Sequence, residues 1–249
     1  MLNIDRRHFM GMALAVSTPS SLWAQEAVHK TDVLVIPSLH HFHRVNKHYT
    51  YDDLYRAVDN FRPQFVGVEI RQEDLALGDH YLGDNYPQEM IELFHHYAPH
   101  VFGFDWLGDD LAGRPVPDDW WRKRSEIKIL ERSVDSYFKT NPLLLQSQKL
   151  SREQLAIAQR ATLPQMMDGS YDRVAASYYA VFKKLTAGTE YQKLSDFYTE
   201  RDMKLSDNII NFLVTHFCKR VVIVTGADHH GPMVKSLSCQ KNINIVSII

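Results

Sequence analysis

Short runs of apolar, largely β-branched residues recur along this chain, and segments with helical spacing of apolar residues separate them. These runs predict buried β-strands at residues 32–37, 65–70, 101–105, 220–225 and 243–249. Strands that alternate with helices favour a parallel sheet with right-handed crossovers. The sequence therefore predicts the α/β class, with a central sheet rich in parallel strands and helices that flank it.

Three helices are predicted around these strands. Residues 51–61 have apolar side chains at helical spacing, and Pro63 ends that pattern. Residues 87–97 show a similar pattern and begin with a proline, which suits the first turn of a helix. A short helix is predicted at residues 232–239, whereas residues 108–119, which are rich in Gly, Asp and Pro, indicate a loop.

The longest helical stretch separates the third and fourth strands. It covers residues 120–217, with breaks near Pro142, Pro164 and Gly188. About 100 residues are far more than the roughly 10–12 that a crossover between parallel strands requires. We therefore expect a large helical insertion, a cap at residues about 118–215, within a single α/β domain that spans residues 28–249.

The first 24 residues have the layout of an export signal. Arg6 and Arg7 form a twin-arginine pair, a modest apolar run follows to Val16, and small residues suggest cleavage after Ala24. The run is shorter than the roughly 20 apolar residues that span a bilayer. We therefore expect a Tat-type signal peptide at residues 1–24 and a periplasmic mature protein with no membrane span. An ordinary amphipathic helix is the alternative.

The charge balance argues against a nucleic-acid partner. Lys and Arg number 28 and Asp and Glu number 30, so the formal net charge is -2, whereas nucleic-acid-binding proteins usually carry a basic excess. The expected partner is instead a small-molecule or peptide substrate. The sequence does not determine an oligomeric state.

Polar residues follow four of the predicted strands at the point where each strand ends. These residues are His40 and His43, Glu69, Asp105, and Asp228 with His229. The carboxyl ends of parallel strands share one edge of a sheet, and ligands of open α/β sheets bind outside that edge. We therefore expect residues spread over most of the chain to converge on one crevice.

Each of these residues also has a purely structural interpretation. Glu69 could form a buried salt bridge, since a buried carboxylate is costly unless it is paired. His40 and His229 could be hydrogen-bonded core residues, and Asp105 could cap a helix or loop. A structural role for all of them is the weakest interpretation because it leaves their convergence unexplained.

Four segments together resemble the TraB/Tiki and erythromycin-esterase-like superfamily. Residues 37–40, Pro-Ser-Leu-His, stand where that superfamily has G-T-x-H, and residues 66–69, Val-Gly-Val-Glu, resemble its V-x-x-E. Residues 200–203, Glu-Arg-Asp-Met, are similar to its E-R-N segment, and residues 224–229, Val-Thr-Gly-Ala-Asp-His, to its V-x-G-A-G-H. The departures are Pro37 and Ser38 for Gly-Thr, Asp202 for Asn, and Asp228 for Gly.

The resemblance implies an α/β core with a helical insertion. It also implies that His40, Glu69 and His229 are functional residues and that Arg201 supports the site. The superfamily includes metal-dependent proteases, esterases that act on macrolides, a haem-binding lipoprotein and proteins that quench pheromones. It therefore indicates which residues form the site more clearly than it indicates which substrate they act on.

The first functional hypothesis is a hydrolase of peptide or ester bonds. His40, Glu69 and His229 would hold one divalent metal, Mn, Co or Zn, which would lower the pKa of a bound water. Asp105 or Asp228 would then act as general base. In a metal-free version, Glu69 or a histidine would be the base directly. The sequence has neither an H-E-x-x-H nor a G-x-S-x-G motif.

Substrate binding in this hypothesis depends on three further residues. Arg201 would anchor a substrate carboxylate or stabilise an oxyanion, and His43 and Asp228 would contact the substrate. The second functional hypothesis is a binding protein without turnover, in which the histidine-rich mouth takes haem iron or sequesters a small ligand. That mouth comprises His40, His41, His43 and His48.

The two cysteines are expected to lie at the edge of the sheet opposite this crevice. Cys218 precedes the fourth strand, and Cys239 ends the short helix that follows it. An oxidising periplasm would permit a disulfide between them, and two buried thiols are the alternative.

Overall fold

The computed structural model describes residues 30–216 and 218–247, so the predicted signal peptide at residues 1–24 lies outside the described residues. In the described part, the strands are β1 (Thr31–Ser38), β2 (Phe65–Val68), β3 (Val101–Gly103), β4 (Arg220–Gly226) and β5 (Ile243–Val246). They form one sheet in the order β3-β2-β4-β1-β5, and every neighbouring pair is parallel. The predicted parallel sheet is confirmed.

The helices of the described part follow the strands in the alternating order that the sequence predicted. Their bounds are α1 (Tyr51–Phe61), α2 (Asp79–Asn85), α3 (Gln88–Tyr97), α4 (Glu126–Tyr137), α5 (Pro142–Ala158), α6 (Leu163–Met167), α7 (Ser170–Thr186), α8 (Gln192–Thr215) and α9 (Ala227–Ser238). Helix α1 has the predicted bounds because Thr50 caps it: the Thr50 hydroxyl accepts from the Asp53 N–H, and the Asp53 carboxylate accepts from the Thr50 N–H.

Three of the strands are shorter than the sequence predicted, and the fifth strand along the chain ends at Val246 rather than at residue 249. The second ends at Val68 and the third at Gly103, each two residues before its predicted end. The cause in the second strand is local, because the Ile70 N–H donates to the Val68 carbonyl at 2.8 Å and so turns the chain away from the sheet. Glu69 therefore lies just beyond its strand, at the edge of the sheet.

Each face of the sheet packs against its own helices, because alternate residues of a strand point to opposite faces. Leu34 and Ile36 of β1 lie in one core with residues of α1 and α3. Val33 and Val35 lie in the other core with residues of α8 and α9. The hydrophobic effect of these two cores fixes the position of the sheet between two helical layers.

This arrangement places a topological switch point between β1 and β4. The two strands are neighbours over seven residue pairs, from Asp32 with Arg220 to Ser38 with Gly226. After β1 the chain continues into α1 on one face, and after β4 it continues into α9 on the other. A crevice opens at such a point at the carboxyl ends of the strands, and ligands of α/β sheets bind there.

The predicted helical insertion is confirmed between β3 and β4. Helices α4 to α8 lie there, and part of them forms a separate hydrophobic core. Its buried members are Phe138, Leu144, Phe182, Leu185, Tyr191 and Leu194. The second half of α8 differs from the expectation, because Leu205, Ile209 and Leu213 pack on the sheet rather than in the cap.

Helix α9 starts five residues earlier than the sequence predicted, at Ala227 rather than at Pro232. The prediction placed a proline in the first turn, whereas Pro232 lies inside the helix. Proline has no N–H and its ring crowds the carbonyl four residues earlier, so the sequence pattern favoured a boundary there. As a consequence, Asp228 and His229 lie in the first turn of a helix and not in a loop.

The two cysteines are free thiols in the structure, and the disulfide left open by the sequence is not formed. Cys218 is buried, but Cys239 is exposed at the end of α9, so the alternative of two buried thiols holds for Cys218 alone. In residues 30–216 and 218–247 we find no helix with both the length and the apolar character needed to cross a membrane.

Candidate active site

Glu69 is the centre of the polar cluster at the switch point. Its side chain is buried, and its Oε2 accepts hydrogen bonds from the Thr225 hydroxyl at 2.9 Å and from the Gly226 N–H at 2.7 Å. Its Oε1 accepts from Arg201 Nη2 at 3.0 Å. The carboxyl end of β4 and helix α8 of the insertion thus hold one carboxylate that follows β2.

Two histidine rings converge on this carboxylate. His229 Nε2 lies 3.8 Å from Glu69 Oε1. A Cβ atom on Gly226 would lie 2.7 Å from His40 Nε2 and 3.5 Å from Glu69 Oε2, so the tip of the His40 ring sits beside the same carboxylate. Only a glycine at position 226 leaves room for this ring. The predicted convergence of His40, Glu69 and His229 is therefore what the structure shows.

A carboxylate holds the far side of each histidine ring. His40 Nδ1 lies 2.7 Å from Glu89 Oε1, and His229 Nδ1 lies 2.6 Å from Asp202 Oδ1. A carboxylate that carries charge can only accept, so Nδ1 is the donor in both pairs. The Nε2 atom of each neutral ring is then the free acceptor, and both of these atoms point toward Glu69.

Glu89 is a functional candidate that the sequence interpretation missed. It lies in the first turn of α3, is fully buried, and also accepts from the Ser38 hydroxyl at 2.6 Å. Its Oε2 has no hydrogen-bond partner among the residues that the structure describes. The helical spacing indicated that Glu89 is buried, because it stands next to Met90 and four residues before Leu93, which both lie on the buried face of the helix.

Asp202 was noted in the sequence only as a departure from the superfamily pattern. It follows Arg201 on α8 and stands three residues before Leu205, which is fully buried on the face that packs against the sheet. Its spacing therefore indicated a carboxylate near the core. In the structure, Asp202 Oδ1 lies 2.6 Å from His229 Nδ1, so the Asp202 carboxylate orients the His229 ring.

The backbone of His40 is strained. Its φ is 50°, in the left-handed region that side chains with a Cβ rarely adopt. Such a residue costs about 1–3 kcal/mol and persists where the surroundings hold it, often at functional sites. Here the Ser38 hydroxyl accepts from the His40 N–H at 3.0 Å while the ring is held by Glu89.

Arg201 joins the two buried carboxylates of the site. It contacts Glu69 at 3.0 Å and Asp105 at 2.8 Å, and it donates to the Trp106 carbonyl at 3.0 Å. Burial raises the pKa of Asp105, and the adjacent Glu69 charge adds to this, so that its pKa is about 6 in spite of Arg201. The Arg201 guanidinium thus pairs with two carboxylates of the protein itself.

The charges around Glu69 keep it ionised. Burial alone would raise the pKa of Glu69, but the nearby cations, first His229 and then Arg201, lower it to about 2. Burial lowers the pKa of both histidines, but the carboxylates around them have the larger effect. The net result is a raised pKa for His40, through Glu89, and for His229, through Glu69 and Asp202.

A cavity of about 700 Å³ opens in front of the two histidines. The sheet edge contributes His40 and the chain from Gly226 to His229, and the insertion contributes aromatic and polar side chains. The cap residues that line it are Glu131, Val134, Ser151, Gln154, Leu155, Ala158, Tyr171, Tyr178, Tyr179, Phe182 and Tyr198. The volume suits a small-molecule ligand.

The structure separates the predicted substrate-binding residues. Asp228 lines the cavity, as expected. Arg201 does not line it and is paired instead with Glu69 and Asp105. His43 is buried and turned inward: its Nε2 accepts from the Leu39 N–H at 2.9 Å, and its Nδ1 donates to the Tyr49 carbonyl at 2.9 Å. His43 thus stabilises the turn after β1.

Asp105 and Asp228 also differ from the predicted general bases. Asp105 does not line the cavity, and its carboxylate faces Arg201 and the Trp106 N–H. Asp228 is reached by three donors, Gln154, Tyr171 and Tyr179, at 2.9, 2.7 and 3.1 Å. Both carboxylates are thus held by donors of the protein, and their role as general base stays a prediction.

The described residues show no preformed metal site at the proposed ligands His40, Glu69 and His229. In the described part of the chain, no group of three or more His, Cys, Asp or Glu side chains has the geometry to hold one. Both oxygens of Glu69 already accept hydrogen bonds, and one donor is the permanently charged Arg201. The predicted Mn, Co or Zn site stays a prediction.

Of the predicted histidine-rich mouth, His40 alone lines the cavity among the described residues. His43 uses both ring nitrogens in the turn, and His41 and His48 are exposed. Haem binding stays a prediction.

The comparisons with known proteins give no family for this chain. No family model matches it, and no curated protein and no solved structure is similar to it. The resemblance to the TraB/Tiki and erythromycin-esterase-like superfamily therefore remains a prediction. What the fold and site define is a class: an α/β protein with a cavity at the switch point and two carboxylate-held histidines on its floor.

Proposed function

We propose that this protein is an exported hydrolase that cleaves ester or amide bonds, peptide bonds included, in small molecules. One observation carries the proposal: the Nε2 atoms of His40 and His229 converge beside the ionised Glu69 at the floor of the cavity, while carboxylates hold both Nδ1 atoms. The pair Arg6–Arg7 supports export.

His40 is suited to act as the general base. Its side chain is 36% exposed and lines the cavity, and Glu89 fixes the tautomer whose Nε2 is a free acceptor. In its neutral form His40 would take a proton from a water as the water oxygen forms a bond to the substrate carbonyl carbon. Glu89 would stabilise the imidazolium that results.

His229 is suited to act as the general acid. Its ring is less exposed, at 16% of the side chain, and the nearby charge of Glu69 raises its pKa, which favours its protonated form. The imidazolium would stabilise the developing oxyanion. When the carbonyl carbon's bond to the leaving oxygen or nitrogen breaks, His229 would give its proton to the leaving group. The products are a carboxylic acid and an alcohol or amine.

Glu69 and Arg201 position these groups. Glu69 stabilises the positive charge of His229 and accepts a hydrogen bond from the Gly226 N–H. The positive charge of Arg201 offsets the negative charges of Glu69 and Asp105, so that both buried carboxylates can be accommodated. Neither residue needs to touch the substrate.

Hydrolysis of a panel of chromogenic esters and peptides would test the proposal. His40→Asn and His229→Asn should each lower kcat/KM at least about 100-fold, which is the usual effect of losing a general acid or base. His41→Asn is the matched control, because His41 is exposed beside His40 and should leave the rate unchanged. Circular dichroism would confirm that each variant is folded.

Three results would contradict the proposal of an exported hydrolase that uses two histidines. A folded protein with no turnover on any substrate, together with a Soret band, would favour the haem-binding alternative. Near-stoichiometric metal that is lost in Glu69→Gln and His229→Asn would restore the metal-dependent mechanism. Cell fractionation that finds the protein in the cytoplasm would overturn export.

A further inference from the structure

The wall of the cavity combines aromatic rings and carboxylates with small polar and aliphatic side chains. Among the described residues, Glu131 and Asp228 supply the negative charge of the cavity lining, and no lysine or arginine lies in it. The aromatic members are Phe42, Tyr171, Tyr178, Tyr179, Phe182 and Tyr198. Apart from the two histidines at the floor, the lining therefore offers charge of one sign only.

Asp228 is the carboxylate nearest to the floor, since it directly precedes His229 in the first turn of α9. Its partners are the amide of Gln154 and the hydroxyls of Tyr171 and Tyr179. These groups hold the carboxylate in one orientation, but all three are neutral and supply no positive charge. Glu131 lies on α4 and already pairs with Lys128 at 2.8 Å.

The aromatic rings on α7 and α8 are in contact with one another. Tyr178 stacks on Phe182 with ring centroids 5.8 Å apart and meets Tyr179 edge-on at 5.1 Å, and Tyr179 lies 6.0 Å from Tyr198. Ring faces attract cations because the negative end of the aromatic quadrupole lies on the face. Several rings beside a carboxylate whose side-chain partners are all neutral favour the binding of an organic cation.

We propose that this wall, formed by Asp228 and the rings of Tyr171, Tyr178, Tyr179 and Tyr198, binds an ammonium group of the substrate. The cation would supply the positive charge that Asp228 lacks, and its alkyl groups would pack on the rings. The inference rests on the proposed function for its chemistry. Asp228 and His229 line the same cavity, so a substrate that places its ammonium at Asp228 would present its ester or amide carbonyl to His229.

The experiment measures binding and does not require turnover. Choline and its neutral isostere 3,3-dimethylbutan-1-ol are titrated separately into the folded protein, and dissociation constants are obtained by NMR. Choline should bind about tenfold more tightly, within the range of one cation–π and charge contact. Equal binding of the two probes, or no binding of either, would overturn the proposal.

Variants locate the binding to this wall. Asp228→Asn keeps the shape of the side chain and should remove most of the preference for choline, whereas Asp207→Asn, an exposed carboxylate on α8, should keep it. Tyr178→Phe should retain the preference, and Tyr178→Leu should weaken choline binding about threefold or more. A preference that survives both Asp228→Asn and Tyr178→Leu would show that choline binds elsewhere.

The result is separable from the hydrolase proposal. His40→Asn should bind choline like the unmodified protein although its kcat/KM for hydrolysis is at least about 100-fold lower. Turnover without a preference for choline would reject the ammonium site alone, and a choline preference without turnover would reject the hydrolase alone. Tighter binding of a neutral polyol than of choline would indicate a wall for sugar hydroxyls and would overturn the inference.

Discussion

At the scale of the residue, the site depends on how the two histidine rings are held rather than on the histidines alone. His40 has a strained backbone and a buried carboxylate behind its ring, and His229 has a less buried carboxylate behind its ring and Glu69 in front. These surroundings raise the pKa of both rings above the ordinary value of 6.5. The proposed mechanism needs His40 neutral and His229 protonated, so kcat/KM should have a bell-shaped pH profile.

Glu89→Gln should move the acid limb of that profile to lower pH. Glu89 raises the pKa of His40, so a neutral amide lets this pKa fall, and His40 becomes neutral at lower pH. The maximal rate should also fall, because the ring loses its charged partner. The pH dependence of kcat/KM measures the shift.

Glu92→Gln is the matched control, since Glu92 is an exposed carboxylate on the same helix. Its profile should equal that of the unmodified protein. Asp202→Asn should instead move the alkaline limb to lower pH, because Asp202 raises the pKa of His229. If Glu89→Gln left the acid limb in place, His40 would not be the base.

The change in the free energy of unfolding that Asp105→Asn causes should be more stabilising at pH 8 than at pH 4. The pKa of Asp105 is raised from 3.8 to about 6, so the folded state binds this proton more tightly than the unfolded state does. The stability that this proton contributes is present below pH 3.8 and is lost as pH rises through 6. The loss is about 3 kcal/mol, and urea denaturation at both pH values measures it.

Asp207→Asn serves again as a control, because Asp207 is exposed and its substitution should have the same small effect at both pH values. A difference between Asp105→Asn and the unmodified protein that does not grow with pH would mean that Arg201 balances Asp105 more completely than Glu69 opposes it.

At the scale of the element, helix starts determine where the functional groups lie. Helix α9 begins directly after β4, so its first turn carries Asp228 and His229 over the edge of the sheet. Helix α3 begins with Glu89 in its first turn, which brings a carboxylate to the end of β1. Helix α1 follows the turn that holds His40, and its start is defined by a capping box.

Thr50→Ala should lower the free energy of unfolding by about 1 kcal/mol, because the first turn of α1 loses the hydroxyl that accepts from Asp53 N–H. Thr50→Ser keeps the hydroxyl and should restore most of the stability. Thermal and urea denaturation measure both variants. An unchanged stability in Thr50→Ala would show that the packing of α1 on the sheet, and not its cap, defines the start of the helix.

At the scale of the whole molecule, α8 is one of the helices that connect the cap to the sheet, and it contributes to two cores. The first half of α8 contributes Leu194 to the core of the cap, and the second half contributes Leu205 and Ile209 to the core beneath the sheet. Between the two halves, Arg201 and Asp202 support the site. The cap and the sheet are therefore expected to unfold together rather than in separate steps.

Leu194→Ala and Leu205→Ala should each cost about 2–5 kcal/mol, since both side chains are fully buried and both changes leave a cavity. Each should lower the temperature of a single transition that far-UV and near-UV circular dichroism report alike. Val214→Ala, an exposed residue on the same helix, is the control. A second, earlier transition in Leu194→Ala alone would show that the cap unfolds independently.

The sequence by itself determined the class of fold and much of the site. Apolar runs of strand length and an overlong helical stretch predicted the parallel sheet and its insertion, because the periodicity of burial is written directly in the residue order. The positions of His40, Glu69 and His229 after predicted strands indicated one common crevice. This inference succeeded because parallel strands bring their carboxyl ends to the same edge.

Only the tertiary structure decided the partners of these residues. Glu89 and Asp202 reach the histidines from helices 49 and 27 positions away in the chain, and no local pattern fixes such a contact. The His43 ring faces inward and the Asp105 carboxylate faces Arg201, because each has a hydrogen-bond or charge partner inside the protein. A strand end sets where a residue lies, but the packed neighbours set which way its polar atoms point and how strongly they hold a proton.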